Sequence, residues 1–225
     1  MKRQDMIKTL GSTALALALT TTLGLLAAAP QALTSAARAQ DTATTPAPVV
    51  PAVPELAIGN PDAKVTVTEY ASYTCPHCAH FHEDVFKPLK ADYIDTGKVR
   101  FIFREVYFDK YGLWASMIAR CGGEMRYFGI SGMMFETQKE WAAFSDATAV
   151  VDQLKTIGRA AGMDDATMEA CLNDNDMAMA MVTAFQANME ADGIEGTPSL
   201  IINGTKYQNM SYAELKPILD AELAK

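Results

Sequence analysis

The chain has 225 residues, with 19 Lys and Arg against 27 Asp and Glu, for a formal net charge of −8. That sign opposes phosphate backbones and anionic membrane surfaces, so no role in binding nucleic acid is expected. The length suits one domain, or one domain with a sizeable insertion, that buries an adequate core without depending on disulfides.

The N-terminus, MKRQDMIK, is net basic, and Leu10 to Ala29 is apolar apart from Gly and scattered Ser and Thr. Ala37-Arg38-Ala39 then has the small-x-small pattern of a cleavage site, which predicts a secretory signal peptide at residues 1–39. An uncleaved anchor is the rival, because the apolar run is long enough to span a bilayer. Thr20 to Thr22 interrupt that run and favour cleavage. The expected location is the periplasm, with no membrane-embedded part left after cleavage. Removing residues 1–39 takes away Lys2, Arg3, Lys8, Arg38 and Asp5, leaving 15 basic and 26 acidic residues and a net charge of −11.

Residues 40–56 carry Pro46, Pro48, Pro51 and Pro54 without amphipathic period, and read as an extended linker. Ordered structure should begin near Leu56. Lys64 to Tyr70, KVTVTEY, alternates strictly and is β-branched, so it predicts a strand with Val65, Val67 and Glu69 on one face. A helix is expected from Cys75 to about Tyr93, bent by Pro88. Val99 to Phe108 is a second strand, apolar on both faces and therefore central. From about Lys110 to Ala191 all signals are helical. Period two returns at Leu200-Ile201-Ile202, and Asn203-Gly204 turns the chain into Thr205-Lys206-Tyr207. Ser211-x-x-Glu214 is a capping box for a last helix, whose start Pro217 should delay or distort. The order is β-α-β, helical insert, β-β-α. It divides into residues 57–107, an inserted helical domain at 108–196, and residues 197–225.

Two of the four cysteines and all three histidines fall in TCPHCAHFHE, residues 74–83. Cys75-Pro76-His77-Cys78 follows a strand and opens a helix, the setting a redox C-x-x-C requires. A sulfur at a helix N-terminus meets unsatisfied N–H groups and the positive end of the dipole, both favouring thiolate. Pro76 at the first helical position loses no hydrogen bond. A charged or donating His77 would add to the stabilisation. In such settings a cysteine pKa falls from about 8.5 to between about 3.5 and 7.5. The more stable that thiolate, the more oxidising the disulfide. Cys78, one turn in, is expected to be shielded and to act as the resolving sulfur. A metal site is the rival, since Cys75, Cys78 and His82 could share a helix face. It lacks a fourth ligand nearby in sequence, so no metal is expected, and His80 and His82 read as solvated.

VTEYASYTCPHC, the β-α opening, the helical insert and Gly196-Thr197-Pro198-Ser199-Leu200 together resemble the DsbA-like thiol:disulfide oxidoreductases. The resemblance covers about residues 57–225 and implies an α/β chain, a thioredoxin fold with an inserted α-helical domain. It further implies that the Thr197-Pro198 bond is cis, faces the C-x-x-C and offers backbone groups to a substrate strand. Glu69, an acid on an apolar strand face, is either at an exposed strand end or buried with a raised pKa, able to exchange protons with Cys78. The resemblance favours burial, with Arg104 as a partner from the neighbouring strand.

Cys121 and Cys171 lie in the insert, and in an oxidising compartment such a pair is expected to form a structural bridge. Met177, Met179 and Met181 invite a copper reading, but two-residue spacing on a helix does not place all three on one face, and packing is the plainer role. The expected activity is introduction of disulfides into unfolded exported proteins with cysteine thiols. The resemblance adds a quinone-linked membrane reoxidant resembling DsbB. No cofactor is expected, and nothing demands more than a monomer. An isomerase or reductase, or a metal-handling protein using the Cys/His cluster, are the competing readings.

Overall fold

The computed structural model describes residues 51–143 and 145–225. The expected signal peptide, 1–39, and linker residues 40–50 lie outside the described residues. Five strands form one sheet: β1 Leu56–Gly59, β2 Val65–Ala71, β3 Val99–Glu105, β4 Ser199–Ile202 and β5 Thr205–Gln208, in the order β1-β3-β2-β4-β5. β2 is central, and six of its seven residues are buried, as expected of a strand covered on both faces. It runs parallel to β3, with Val67 beside Phe101 and Glu69 beside Phe103, and antiparallel to β4, with Tyr70 beside Ser199. The parallel pair needs a crossover, and the helical run at residues 76–94 supplies it.

That run is not a uniform α-helix. It consists of α1 Pro76–Phe81, a π-helical turn His82–Phe86, α2 Lys87–Leu89 and a second π-helical stretch Lys90–Ile94. Pro88 has no N–H to donate to the preceding turn, and π turns on either side absorb the mismatch. The apolar side chains Phe81, Val85 and Leu89 pack on the sheet face that carries Val65 and Val67.

Between β3 and β4 stand α3 Lys110–Cys121, α4 Glu124–Glu136, α5 Gln138–Trp141, α6 Ala147–Ala160, α7 Asp165–Leu172 and α8 Asn175–Ala191. Four of them start from an aspartate (Asp109, Asp146, Asp164 and Asp174) whose carboxylate accepts first-turn N–H groups. The last helix, α9 Tyr212–Ala224, carries the complete capping box between Ser211 and Glu214.

Three elements differ from the sequence expectation. β1 is an edge strand that begins at Leu56, where order was expected to start, but no strand was expected there, since four residues are too few to carry a readable period. β3 stops at Glu105, where Tyr107 and Phe108 leave the sheet. α9 starts at once despite Pro217, because Ala213, whose carbonyl loses its partner, is exposed to water.

Candidate active site

The chain leaves β2 at Ala71 and turns through Ser72 to Thr74, with the Cys75 N–H donating to the Ser72 carbonyl at 3.1 Å. Cys75 is the N-cap of α1 and Pro76 its first residue, so the Cys75 sulfur stands over free N–H groups. Neighbouring elements clamp this turn. Thr74 Oγ1 donates to Asp109 Oδ2 at 2.7 Å. Gln138 Nε2, buried on α5, donates to the carbonyls of Tyr73 at 2.8 Å and Cys75 at 2.9 Å. Sequence reasoning missed Gln138, since a polar residue in a four-residue helix has no periodic signature.

The two sulfurs are in opposite states. Cys75 is 9% exposed and Cys78 is fully buried. A hydrogen bond from the Cys78 thiol, then the Thr197 side chain and the backbone N–H groups of Cys78 and His77, hold the Cys75 thiol down to about 5 against the opposing cost of burial. Burial, reinforced by the hydrogen bond to Cys75 and the nearby Glu69, pushes the Cys78 thiol far above its ordinary value. One sulfur is therefore a thiolate at neutral pH and its neighbour a thiol.

The Thr197-Pro198 bond is cis and precedes β4. The Thr197 carbonyl lies 3.7 Å from Cys75 Sγ, where it accepts from the sulfur in its thiol form. The Thr197 hydroxyl is enclosed and has no hydrogen-bond partner.

Glu69 is 3% exposed, and its Oε1 has no hydrogen-bond partner. Burial first, and the Cys75 thiolate second, push its carboxyl up to about 8. Arg104 is not its partner. Register pairs Arg104 with Tyr70, one residue on, so the guanidinium lies on the opposite sheet face. There it donates to Tyr70 Oη at 2.7 Å, Asp192 Oδ2 at 2.9 Å and Glu55 Oε2 at 2.9 Å.

The three histidines separate. The His77 imidazole is exposed and makes no hydrogen bond among the described residues; what His77 gives Cys75 is its backbone N–H. His80 is also exposed, and both rings line an open groove of about 430 Å³ closed on its far side by Met210 and Tyr212. His82, expected to be solvated, is 8% exposed and stacks between Phe86 and Phe135 at 4.9 and 5.2 Å. It opens the π-helical turn, which directs its side chain inward. Among the described residues no group of three or more His, Cys, Asp and Glu is placed to hold a metal ion.

Away from this site, Cys121 and Cys171 form a disulfide with Cα atoms 6.0 Å apart. Met181 is buried while Met179 is 64% exposed, so the methionine series straddles a helix as its spacing required.

Residues 52–221 match the family described as thioredoxin. A putative protein-disulfide oxidoreductase of Rickettsia bellii is 32% identical over 167 residues, covering 74% of this chain and 63% of that protein. The chain spans about three-fifths of the length of the curated Rickettsia relatives. Among solved structures, α-DsbA1 of Wolbachia pipientis superposes with a TM-score of 0.69 at 26% identity, covering 78% of this chain and 94% of that one. A protein-disulfide isomerase of Novosphingobium aromaticivorans gives 0.67 at 26% identity, covering 78% and 100%. The chain belongs to the thioredoxin family, with the helical insertion that marks its DsbA-like members.

Proposed function

We propose that the protein is a periplasmic thiol:disulfide oxidoreductase that passes the Cys75–Cys78 disulfide to exported proteins. The observation that carries this reading is the asymmetry of the pair: Cys75 keeps 9% of its surface exposed at a helix N-terminus, and Cys78 is fully buried one turn behind it. A substrate thiolate attacks Cys75 Sγ, the Cys75–Cys78 bond breaks, and Cys78 leaves. Glu69, uncharged while its pKa stays near 8, supplies the proton that makes Cys78 a thiol. A second substrate thiolate then attacks the substrate sulfur of the mixed disulfide, and Cys75 departs as a stable thiolate. Two electrons pass to the enzyme, one proton stays on Cys78, and the other goes to solvent.

Thr197 and Pro198 sit where a substrate backbone would pass Cys75, and the groove beside His77 and His80 would take its side chains. Reoxidation calls for a membrane-bound, quinone-linked partner of the DsbB kind. Among the described residues no helix is long and apolar enough to cross a membrane.

The test mixes the oxidised protein with a reduced two-cysteine peptide. Rapid disulfide formation in the peptide is expected, abolished in Cys75→Ser. Cys78→Ser should trap a mixed disulfide at Cys75. Failure to oxidise the peptide, with reactivation of a scrambled substrate instead, would assign isomerisation in place of oxidation.

A further inference from the structure

Behind the cysteine pair, Glu69, His82 and Ser131 meet at one small cavity whose remaining wall is five phenylalanine rings, among them Phe86 and Phe135. It offers about 10 Å³ to the centre of a water molecule. That is room for one water, which when buried needs roughly two to four polar partners. The three polar side chains can supply them. Glu69 lines the cavity, and its carboxyl makes no hydrogen bond among the described residues. Ser131 Oγ accepts from Tyr73 Oη at 2.8 Å and keeps its own proton to donate. His82 also lines the cavity, and its ring makes no hydrogen bond among the described residues.

His82 faces outward as well. The residue keeps 8% of its surface exposed. On that side stand Glu83 and Lys87 of its own helical run and Glu136 at the end of α4, with Lys87 paired to both acids. On the sheet side the facing titratable group is Glu69. Gly132 leaves the ring edge uncovered, since a Cβ there would lie 3.6 Å from His82 Nε2.

We propose that one water in this cavity joins Glu69 to the His82 imidazole, and that His82 is the port through which the buried carboxyl exchanges its proton with solvent. This deepens the function proposed above, in which Glu69 gives a proton to Cys78 and must recover it. In the inward direction one ring nitrogen takes a proton from solvent while the other releases one to the water. The water passes one of its own to the Glu69 carboxylate, and only N–H and O–H bonds change. When the pair is reoxidised the proton leaves by the same steps reversed, which restores the starting tautomer. Burial, opposed by Glu136, holds the imidazole down to about 4. The ring is therefore neutral at pH 7, with one donor and one acceptor nitrogen, as a conduit requires.

Infrared spectroscopy of the whole protein reads this directly. The Glu69 carboxylic-acid band, identified by its loss in Glu69→Gln, is followed at pH 6 after transfer into heavy water. His82→Phe keeps an aromatic ring in the stack and should slow deuteration of that band by roughly ten-fold or more. His82→Gln, which keeps a polar group but cannot relay a proton between two nitrogens, should slow it likewise. A merely structural defect would open the cavity and speed deuteration. Wild-type exchange rates in either folded variant, or the absence of a Glu69 acid band at pH 6, would overturn the proposal. The measurement needs no thiol–disulfide turnover, so a protein that fails to oxidise the peptide would refute the function and leave the port standing.

Discussion

The two cysteine pairs of this chain share an element type and differ in which end of it they occupy. Cys75 caps the N-terminus of α1, where free N–H groups and the dipole favour negative charge. Cys121 is the last residue of α3 and Cys171 the last but one of α7, where free carbonyls oppose it. Cys75 and Cys78 are one helical turn apart, so joining them constrains little chain. Cys121 and Cys171 are 50 residues apart and tie two helices together. The same chemistry is therefore poised to react in one place and to restrain the chain in the other, and helix polarity with loop length explains the division.

Removing the second bridge is the largest test of this contrast. Cys121→Ala with Cys171→Ala should lower unfolding free energy by about 4 kcal/mol in the chain-entropy account, read by urea denaturation. The Cys75 thiolate should be unaffected in that variant. A matching fall in Cys75 reactivity would mean that the two pairs are not independent.

Next in size is Glu69→Gln. The folded carboxyl titrates near 8 against an ordinary 4.5. Its contribution is thus fully present below about 4.5 and lost as pH rises through about 8. The variant should gain on the order of 3 kcal/mol over wild type at pH 7 and nothing at pH 4, while losing rate in the step that protonates Cys78. Equal stabilities at both pH values would mean that Glu69 is not held neutral.

Smaller still is Gln138→Ala, which strips the Tyr73 carbonyl of its buried donor. A loss of about 2 kcal/mol is expected, together with slower alkylation of Cys75. A loss of stability with unchanged Cys75 alkylation would place Gln138 in the packing alone.

Much of the frame was legible in the residues. The alternation of VTVTEY, the Asn203-Gly204 hairpin and the Ser211 capping box each act locally, within a few residues, and each stands where local chemistry puts it. What escaped depends on partners distant in sequence. Gln138 gains its role only when α5 is laid against the turn at Tyr73, 65 residues earlier. His82 is buried because a π-helical turn changes the phase of the helix and because Phe135 arrives from α4. The pairing of Glu69 with Arg104 failed on strand register, since a one-residue offset reverses the face on which a side chain stands.

The contrast between the pairs rests most directly on the ionisation of Cys75. Reduced protein is alkylated over a range of pH, and the rate at Cys75 is followed by peptide mass spectrometry. The midpoint for Cys75 should lie at about 5, well below the ordinary thiol value of about 8.5. A Cys75 midpoint at that ordinary value would contradict the account.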